Sequence, residues 1–200
     1  MRVLLVGASG TVGRAVAEGL APHHELIRAS RQSGDLRVDL TDMASVQRMY
    51  DEAGALDAVI TAAGHVHFGA LQDTTPAQFN QGLQDKLMGQ VNVVLAGIGR
   101  LRDGGSFTLT SGITAAEPIR FGTNATTVNA AIEGFVRAAA TELPRGLRIN
   151  AVSATVLTES LDSYGPYFPG FEAVSGERVA QVYRRSVEGV GTGRVYTLWQ

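Results

Sequence analysis

The sequence predicts a single α/β domain, a doubly wound parallel sheet with helices on both faces. Two observations carry this prediction. Predicted strands and helices alternate along the chain, and a glycine-rich turn joins the first strand to the first helix. Connections of this kind form right-handed crossovers between parallel strands. The 200 residues contain no repeat, linker or change of composition, so we expect one domain over residues 1–200.

The strands are predicted from short apolar runs rich in β-branched residues, which are typical of buried parallel strands. The helices are predicted from apolar stripes of 3.6-residue period, with Thr41 as the N-cap of the second helix. The predicted strands cover residues 3–6, 25–29, 36–38, 56–61, 106–110, 147–152 and 194–198. The predicted helices cover residues 11–20, 41–53, 75–101, 126–143 and 177–187, and residues 153–175 are predicted to be rich in loops.

Composition excludes several classes of function. A net charge of −2 provides no positive field for a nucleic-acid backbone, so we expect no nucleic-acid partner. The absence of cysteine excludes disulfides and thiolate metal sites. The apolar start at residues 3–6 is too short for a secretory signal, and no run approaches the ~20 residues of a membrane helix. We therefore expect a cytoplasmic protein with no membrane partner.

The turn after the first strand, Gly7-Ala8-Ser9-Gly10-Thr11-Val12-Gly13, has the spacing and position of a dinucleotide-binding loop. Gly7 permits a tight turn, Gly10 permits close approach of a pyrophosphate, and Gly13 lets the helix pack against the strand. Free N–H groups and the positive end of the helix would then face the phosphates. The loop predicts a dinucleotide cofactor held by Gly7, Ser9, Gly10, Thr11, Val12 and Gly13.

The end of the second strand bears on the choice of cofactor. Sites that prefer NAD carry an acidic residue there, about 20 residues after the loop, which binds the ribose 2′-hydroxyl. This chain has Ser30 and Arg31 instead, and its next carboxylate is Asp35. A guanidinium and a hydroxyl suit a 2′-phosphate, so we expect NADP(H) rather than NAD(H). The alternative is that Arg31 is an ordinary solvated side chain.

Over nearly its whole length the chain resembles the short-chain dehydrogenase/reductase family. Its Thr61-Ala62-Ala63-Gly64 turn is similar to the Asn-Asn-Ala-Gly turn of that family, and Thr110-Ser111-Gly112 matches the strand end that carries the catalytic serine. The resemblance implies a seven-stranded Rossmann sheet with Ser111 in the active site. It further implies cofactor contacts at Asp39, Leu40, Ala62, Ala63, Gly64, Val156 and Thr158.

The chain departs from the family at its proton-transfer pair, a tyrosine and a lysine four residues apart. Alignment through Ala131-Ile132-Glu133-Gly134-Phe135 puts Ala125 at the tyrosine position and Asn129 at the lysine position. A methyl group cannot donate a proton, and an amide carries no charge. The usual pair is therefore missing.

A second departure lies on the preceding helix, where Lys86 stands at the position that the family usually gives to asparagine. A partly desolvated lysine has a lowered pKa and can act as an acid near neutral pH. We therefore propose a replacement cluster of Lys86, Ser111 and Asn129 beside the nicotinamide. The alternative is that Lys86 is a solvated helix residue.

Other residues near these motifs carry weaker signals. His65 and His67 share one face of an extended segment but lack a third ligand, so we expect no metal site and assign them to the pocket lining. Tyr164 and Tyr167 lie in the loop-rich segment that the family uses as a substrate lid. An unperturbed phenol has a pKa near 10, so packing of the lid is the simpler role.

Two functions follow from this pattern. The first is an atypical NADP(H)-dependent oxidoreductase acting on a small carbonyl or alcohol substrate. The alternative is an NADP(H)-binding sensor or scaffold without turnover, because a complete cofactor loop combined with a missing tyrosine and lysine fits both. The resemblance also implies a homodimer or homotetramer formed through the helices near residues 76–102 and 126–143. The sequence identifies neither the substrate nor the reaction direction.

Overall fold

The computed structural model describes residues 1–199, and over this range seven strands form one parallel sheet in the order β3-β2-β1-β4-β5-β6-β7. The strands are β1 Arg2–Val6, β2 Glu25–Ser30, β3 Leu36–Arg37, β4 Leu56–Thr61, β5 Leu101–Thr110, β6 Arg148–Ala154 and β7 Val195–Leu198. This architecture confirms the predicted doubly wound α/β class.

Helices cover both faces of the sheet. They are α1 Thr11–Leu20, α2 Met43–Ala53, α3 Pro76–Gly82, α4 Gly89–Gly97, α5 Thr123–Ala139, α6 Leu161–Tyr164 and α7 Gly176–Glu188. Helices α1 and α7 share one hydrophobic core with the sheet, whereas α2, α4 and α5 share the other. In the described part of the chain, no helix is both long and apolar enough to cross a bilayer.

The central strand β1 shows why the sheet is covered on both faces. Val3 and Leu5 are fully buried in the core formed with α1 and α7. Leu4 and Val6, which point the opposite way, are buried in the other core. Because successive side chains of a strand alternate between faces, a strand that is apolar throughout requires a hydrophobic layer on each side.

The predicted helical stretch over residues 75–101 is continuous as far as Gly97, but it is not a regular α-helix and it ends earlier than predicted. Helix α3 passes into a π-helical turn, Leu83–Met88, and α4 then ends at Gly97. Strand β5 begins at Leu101, five residues earlier than predicted. Thr75 caps α3 and Pro76 occupies its first turn, so the predicted beginning is confirmed.

Two further helix boundaries differ from the prediction. The N-cap of α2 is Asp42 and not Thr41, because the Asp42 carboxylate accepts the Ala44 N–H at 3.0 Å. The Thr41 hydroxyl instead donates to Asp39. Helix α5 runs from Thr123 to Ala139 and so lies about one turn before the predicted range.

The sheet order reverses direction at β1 and β4, which are neighbours although the chain passes through β2 and β3 between them. A crevice opens beyond the carboxyl ends of strands at such a point in doubly wound folds. The glycine-rich turn follows β1 and the Ala62–Gly64 segment follows β4, so both predicted cofactor segments border this crevice.

Candidate active site

Two adjoining cavities lie at the carboxyl edge of the sheet. The larger one has a volume of about 540 Å³ and extends over the glycine-rich turn, whereas the smaller one has a volume of about 280 Å³ and lies over the ends of β5 and β6. Residues shared by both linings are Val12, Ala62, Ala63, Gly64, His65, Ser160 and Tyr164. A ligand can therefore extend from one cavity into the other.

The three glycines of the turn have different physical roles. Gly7 has a φ of 85°, and a Cβ there would overlap the Ala62 carbonyl oxygen. A Cβ on Gly13 would overlap the Gly7 carbonyl, as expected for a residue that brings α1 close to β1. At Gly10 the nearest atom of the described residues is 3.5 Å from an added Cβ, so packing does not require glycine. The open side of Gly10 faces the larger cavity.

The amino end of α1 presents unpaired N–H groups to the same cavity. Its N-cap is Gly10, and within the described chain neither a side-chain cap nor a first-turn carboxylate occupies this end. Ser9, Gly10 and Thr11 line the larger cavity. Free donors and the positive end of the helix dipole together form an anion site.

Most of the predicted site residues converge on the two cavities. The larger cavity is lined by Gly7, Ser9, Gly10, Thr11, Val12, Ser30, Arg31, Leu40, Ala62, Ala63 and Gly64. The smaller cavity adds Lys86, Ser111, Asn129 and Val156. Gly13, Asp39 and Thr158 line neither cavity. The Thr158 side chain is exposed, and its backbone N–H donates to Val174.

The residues after β2 are partly engaged with the protein itself. The buried Ser30 hydroxyl donates to the Ser33 carbonyl at 2.5 Å, which stabilises the following turn. The Arg31 guanidinium is exposed and lies 3.6 Å from Asp39 and 3.7 Å from Asp85. Hydrogen bonds from Thr41 are the main reason that the pKa of Asp39 is lowered. Arg31 thus lies between two carboxylates, and it lines the larger cavity.

Lys86, the single lysine of the sequence, lies in the π-helical turn and lines the smaller cavity. Burial lowers its pKa from 10.5 to about 8. Of the described residues, no Asp or Glu lines this cavity to pair with the ammonium group. Lys86 is partly buried and is not the solvated helix residue of the alternative interpretation. A π-helical turn often marks a functional site.

Asn129 and Ala125 lie on α5 and line the smaller cavity. Asn129 is buried, and its Nδ2 donates to Thr114 Oγ1 at 2.8 Å. Its Oδ1 has no hydrogen-bond partner within residues 1–199, and neither does Oγ1 of Thr155 in the same lining. A buried polar atom without a partner costs free energy, so these two atoms suit hydrogen bonds from a ligand.

Ser111 lies at the end of β5 with its hydroxyl near α5. The hydroxyl is 2.9 Å from Glu133 Oε1 and 3.3 Å from the Asn129 carbonyl oxygen, and one hydroxyl hydrogen can serve only one of these acceptors at a time. A carboxylate is the stronger acceptor, so we assign the donation to Glu133. The Ser111 oxygen keeps lone pairs for a donor in the cavity.

Sequence reasoning missed a buried polar network below the smaller cavity. Gln90 Oε1 accepts hydrogen bonds from the Thr61 hydroxyl at 2.6 Å and from the Thr110 N–H at 2.8 Å, and its Nε2 donates to the Thr110 carbonyl at 3.0 Å. The Thr110 hydroxyl contacts the Tyr183 phenol, whose pKa is raised by burial. The available signal was Tyr183 within the apolar stripe of α7, because a buried phenol needs a polar partner.

His65 and Tyr164, from the segment after β4 and the loop-rich segment, border both cavities, whereas His67, expected in the pocket lining, lines neither of them. Phe68 packs against Tyr164 and Tyr167, with ring centroids 5.9 and 5.0 Å apart, so aromatic contacts join the segment after β4 to the loop-rich segment. His65 Nδ1 lies 2.9 Å from Asp85 Oδ2. No group of three potential metal ligands forms within the chain that the structure describes.

Comparison with known proteins identifies the family. A family model described as Enoyl-(Acyl carrier protein) reductase matches residues 8–192. The chain is 45% identical to the protein lin1944 from Listeria innocua, with a TM-score of 0.98 over 100% of both chains. The chain therefore belongs to the short-chain dehydrogenase/reductase family, as the sequence resemblance predicted.

Other relatives carry functional names. A small-chain dehydrogenase in complex with NADPH is 26% identical, with a TM-score of 0.88 over 99% of this chain and 96% of that one. Versicolorin reductase stcU of Emericella nidulans is 30% identical over 157 residues, which are 72% of this chain. A versicolorin reductase 1 of Dothistroma septosporum is 29% identical over 83% of this chain. The chain spans 58% and 66% of the lengths of these two curated relatives.

Proposed function

We propose that this protein is an NADP(H)-dependent oxidoreductase that interconverts a small carbonyl compound and its alcohol. The observation that carries the proposal is the continuity of the cleft. An anion site at Gly10 leads directly into a smaller cavity that contains Lys86, Ser111 and Asn129. The curated relatives, which are named as reductases, support the same class of reaction.

The residues present fit a nicotinamide dinucleotide. The N–H groups of Ser9 and Thr11 would hold the pyrophosphate, whereas the Gly10 N–H donates to the Gly7 carbonyl at 3.1 Å and the open face of Gly10 leaves room for the ligand. Leu40 and the Ala62–Gly64 segment would border the adenosine. Asn129 Oδ1, which lacks a partner in the described chain, would accept a hydrogen bond from the ribose near the nicotinamide. When bound, the cofactor supplies or accepts the hydride.

Lys86 would provide the proton that the family takes from tyrosine. Its pKa of about 8 leaves most of the side chain protonated at neutral pH, so it can donate a proton to the developing alkoxide during reduction. The absence of an acidic residue among the described lining residues leaves the ammonium group available to the substrate oxygen. A neutral Lys86 would accept the proton in the reverse direction.

A preference for NADP(H) over NAD(H) is supported by Arg31, which lines the larger cavity and offers a guanidinium to a 2′-phosphate. The similar small-chain dehydrogenase in complex with NADPH supports the same cofactor class. Among the described cavity residues, no carboxylate from the end of β2 is present to bind a ribose 2′-hydroxyl.

The test combines NADPH binding with turnover of a panel of small aldehydes and ketones. Lys86→Met should keep the NADPH Kd within about threefold and lose turnover by about 10²-fold or more, because general acids contribute about 10² to 10⁴. The matched control Lys86→Arg keeps the charge but holds its proton above neutral pH, so it should be as inactive as Lys86→Met. Unchanged turnover in Lys86→Met would remove Lys86 from the mechanism.

A second candidate function is an NADP(H)-binding sensor or scaffold. The replacement of the tyrosine and lysine by Ala125 and Asn129 favours it. Tight NADPH binding without turnover over the whole panel would support this function against the oxidoreductase. Failure to bind either nicotinamide nucleotide would exclude both functions.

Association through α4 and α5 is also part of the proposal. Leu95 on α4 is 53% exposed, which leaves an apolar side chain for a partner copy. Sedimentation equilibrium should give the mass of a dimer or tetramer, and a monomer mass would contradict this expectation.

A further inference from the structure

We propose that Asp85 determines how the protein chooses between NADPH and NADH, by competing with the 2′-phosphate for Arg31 and by accepting the 2′-hydroxyl of NADH. This inference rests on the proposed cofactor binding. Asp85 lies in the π-helical turn next to Lys86 and lines the larger cavity. It was not among the residues that the sequence singled out.

Asp85 is held firmly in the cleft. Its Oδ2 accepts the His65 N–H at 3.2 Å and lies 2.9 Å from the His65 ring. Its Oδ1 lies 3.7 Å from the Arg31 guanidinium. The Asp85 side chain is 16% exposed, whereas Arg31 is 57% exposed. The carboxylate is therefore the fixed member of the pair, and the guanidinium is the member that can turn towards a ligand.

The carboxylates near Arg31 weaken its attraction for a 2′-phosphate. One guanidinium faces two carboxylates, Asp39 at 3.6 Å and Asp85 at 3.7 Å. A phosphate monoester carries about −1.5 to −2 charges at neutral pH, so it would be repelled by the Asp85 carboxylate while it competes for Arg31. Asp39 does not line the cleft, whereas Asp85 does. Asp85 is thus the carboxylate that a bound 2′-phosphate would meet.

The same carboxylate favours a ribose without phosphate. A 2′-hydroxyl can donate a hydrogen bond to the Asp85 carboxylate. A 2′-phosphate instead presents acceptor oxygens and negative charge, which the carboxylate repels. In NAD-preferring members of this fold the acceptor comes from an acidic residue near the end of the second strand. Here Asp85 would supply it from a different element, opposite Arg31. The native protein should therefore bind NADPH more tightly than NADH, but by no more than about tenfold in Kd.

The experiment measures the Kd of NADPH and of NADH by fluorescence titration for native protein and variants. Asp85→Asn frees Arg31 and removes the fixed charge, so NADPH should bind more tightly and NADH more weakly. We expect the ratio of the NADH Kd to the NADPH Kd to rise by about tenfold or more. Arg31→Ala should lower the same ratio. Asp51→Asn, which breaks the remote Arg100–Asp51 pair, should leave it unchanged.

Thermal melting of each variant separates lost binding from lost folding, and Asp85→Ala replaces Asp85→Asn if the latter does not fold. Binding of both nucleotides with an unchanged Kd ratio in the folded Asp85 variant would overturn the inference and leave the proposed function intact. Failure of the native protein to bind either nucleotide would instead overturn the proposed function. A strong native preference for NADPH, retained in the Asp85 variant, would also contradict the role of Asp85.

Discussion

Gly64, which follows β4, packs directly against the backbone and side-chain stem of Lys86. A Cβ on Gly64 would lie 2.6 Å from Lys86 Cβ and 2.8 Å from Lys86 Cγ, and the φ of Gly64 is 111°. These separations are shorter than ordinary van der Waals contacts between carbon atoms. The segment after β4 and the Lys86 side chain therefore depend on each other for their positions.

Gly64→Ala should destabilise the protein and displace Lys86. The added methyl group overlaps the π-helical turn, and a positive φ is unfavourable for alanine. We expect a loss of about 2 kcal/mol in the free energy of unfolding, measured by urea denaturation. A fully stable Gly64→Ala variant would show that the contact is not close in solution.

The matched control is Gly134→Ala on α5. A Cβ at Gly134 meets no atom of the described residues within 4 Å. Because alanine favours the helix more than glycine does, this variant should be more stable by up to about 1 kcal/mol. Opposite signs for the two variants would distinguish the Gly64 contact from a general effect of added methyl groups.

Lys86→Met should change how stability depends on pH. Burial places the pKa of Lys86 at about 8 in the folded protein against 10.5 in the reference state, so the unfolded state binds more protons between these values. The penalty for the buried charge is fully present below pH ~8 and fades towards pH 10.5. The gain in Tm from Lys86→Met should therefore be larger at pH 7 than at pH 10, as calorimetry would show. An equal gain at both values would contradict the lowered pKa.

The rate of carbonyl reduction should follow the same ionisation. If protonated Lys86 is the acid, kcat/KM should be level below pH ~8 and fall above it. Initial rates with saturating NADPH in buffers of constant ionic strength measure this profile. A rate that stays level to pH 10 would exclude Lys86 as the proton donor.

Gln90→Leu should destabilise the ends of β4 and β5 together. The side chain is fully buried and bonds both strands, so its loss leaves the Thr110 N–H and carbonyl and the Thr61 hydroxyl without their partner. We expect about 2 to 4 kcal/mol of lost stability in urea denaturation. The exposed Gln47→Leu on α2 is the control, with an expected change within about 0.5 kcal/mol. Similar values for the two variants would argue against the network.

Gly10→Ala should separate folding from cofactor binding. An added Cβ lies in ordinary contact with the described residues, and the φ of Gly10, −75°, suits alanine. Stability should change by no more than about 0.5 kcal/mol, whereas the NADPH Kd should rise by about tenfold or more because the methyl group occupies the phosphate space. Native-like NADPH affinity in this variant would place the pyrophosphate elsewhere.

The features that the sequence predicted well are set by short stretches of chain. The β1 strand and α1 helix follow from local apolar patterns, and the glycine-rich turn follows from three glycines with defined spacing. The N-cap of α2 shows the limit of such reasoning, because Thr41 and Asp42 are both good capping residues. The choice between them depends on Asp39, whose carboxylate accepts the Thr41 hydroxyl.

The missed features depend on contacts between distant segments. The π-helical turn makes Asp85 line the larger cavity and Lys86 the smaller one, an arrangement that a regular 3.6-residue period does not predict. Tyr183 reaches Thr110 across 73 positions of sequence. Pairs of this kind leave no local pattern in the sequence, because the two residues meet only once the sheet has formed.

The position of the single lysine has a practical consequence for handling this protein. Within these 200 residues, reagents that attack lysine side chains, including succinimidyl dyes and aldehyde fixatives, have a single target, and it lines the smaller cavity. Surface immobilisation through this lysine would thus block the smaller cavity. Mass spectrometry of the labelled peptide around Lys86, with and without added nucleotide, would measure whether a bound ligand protects the lysine from labelling.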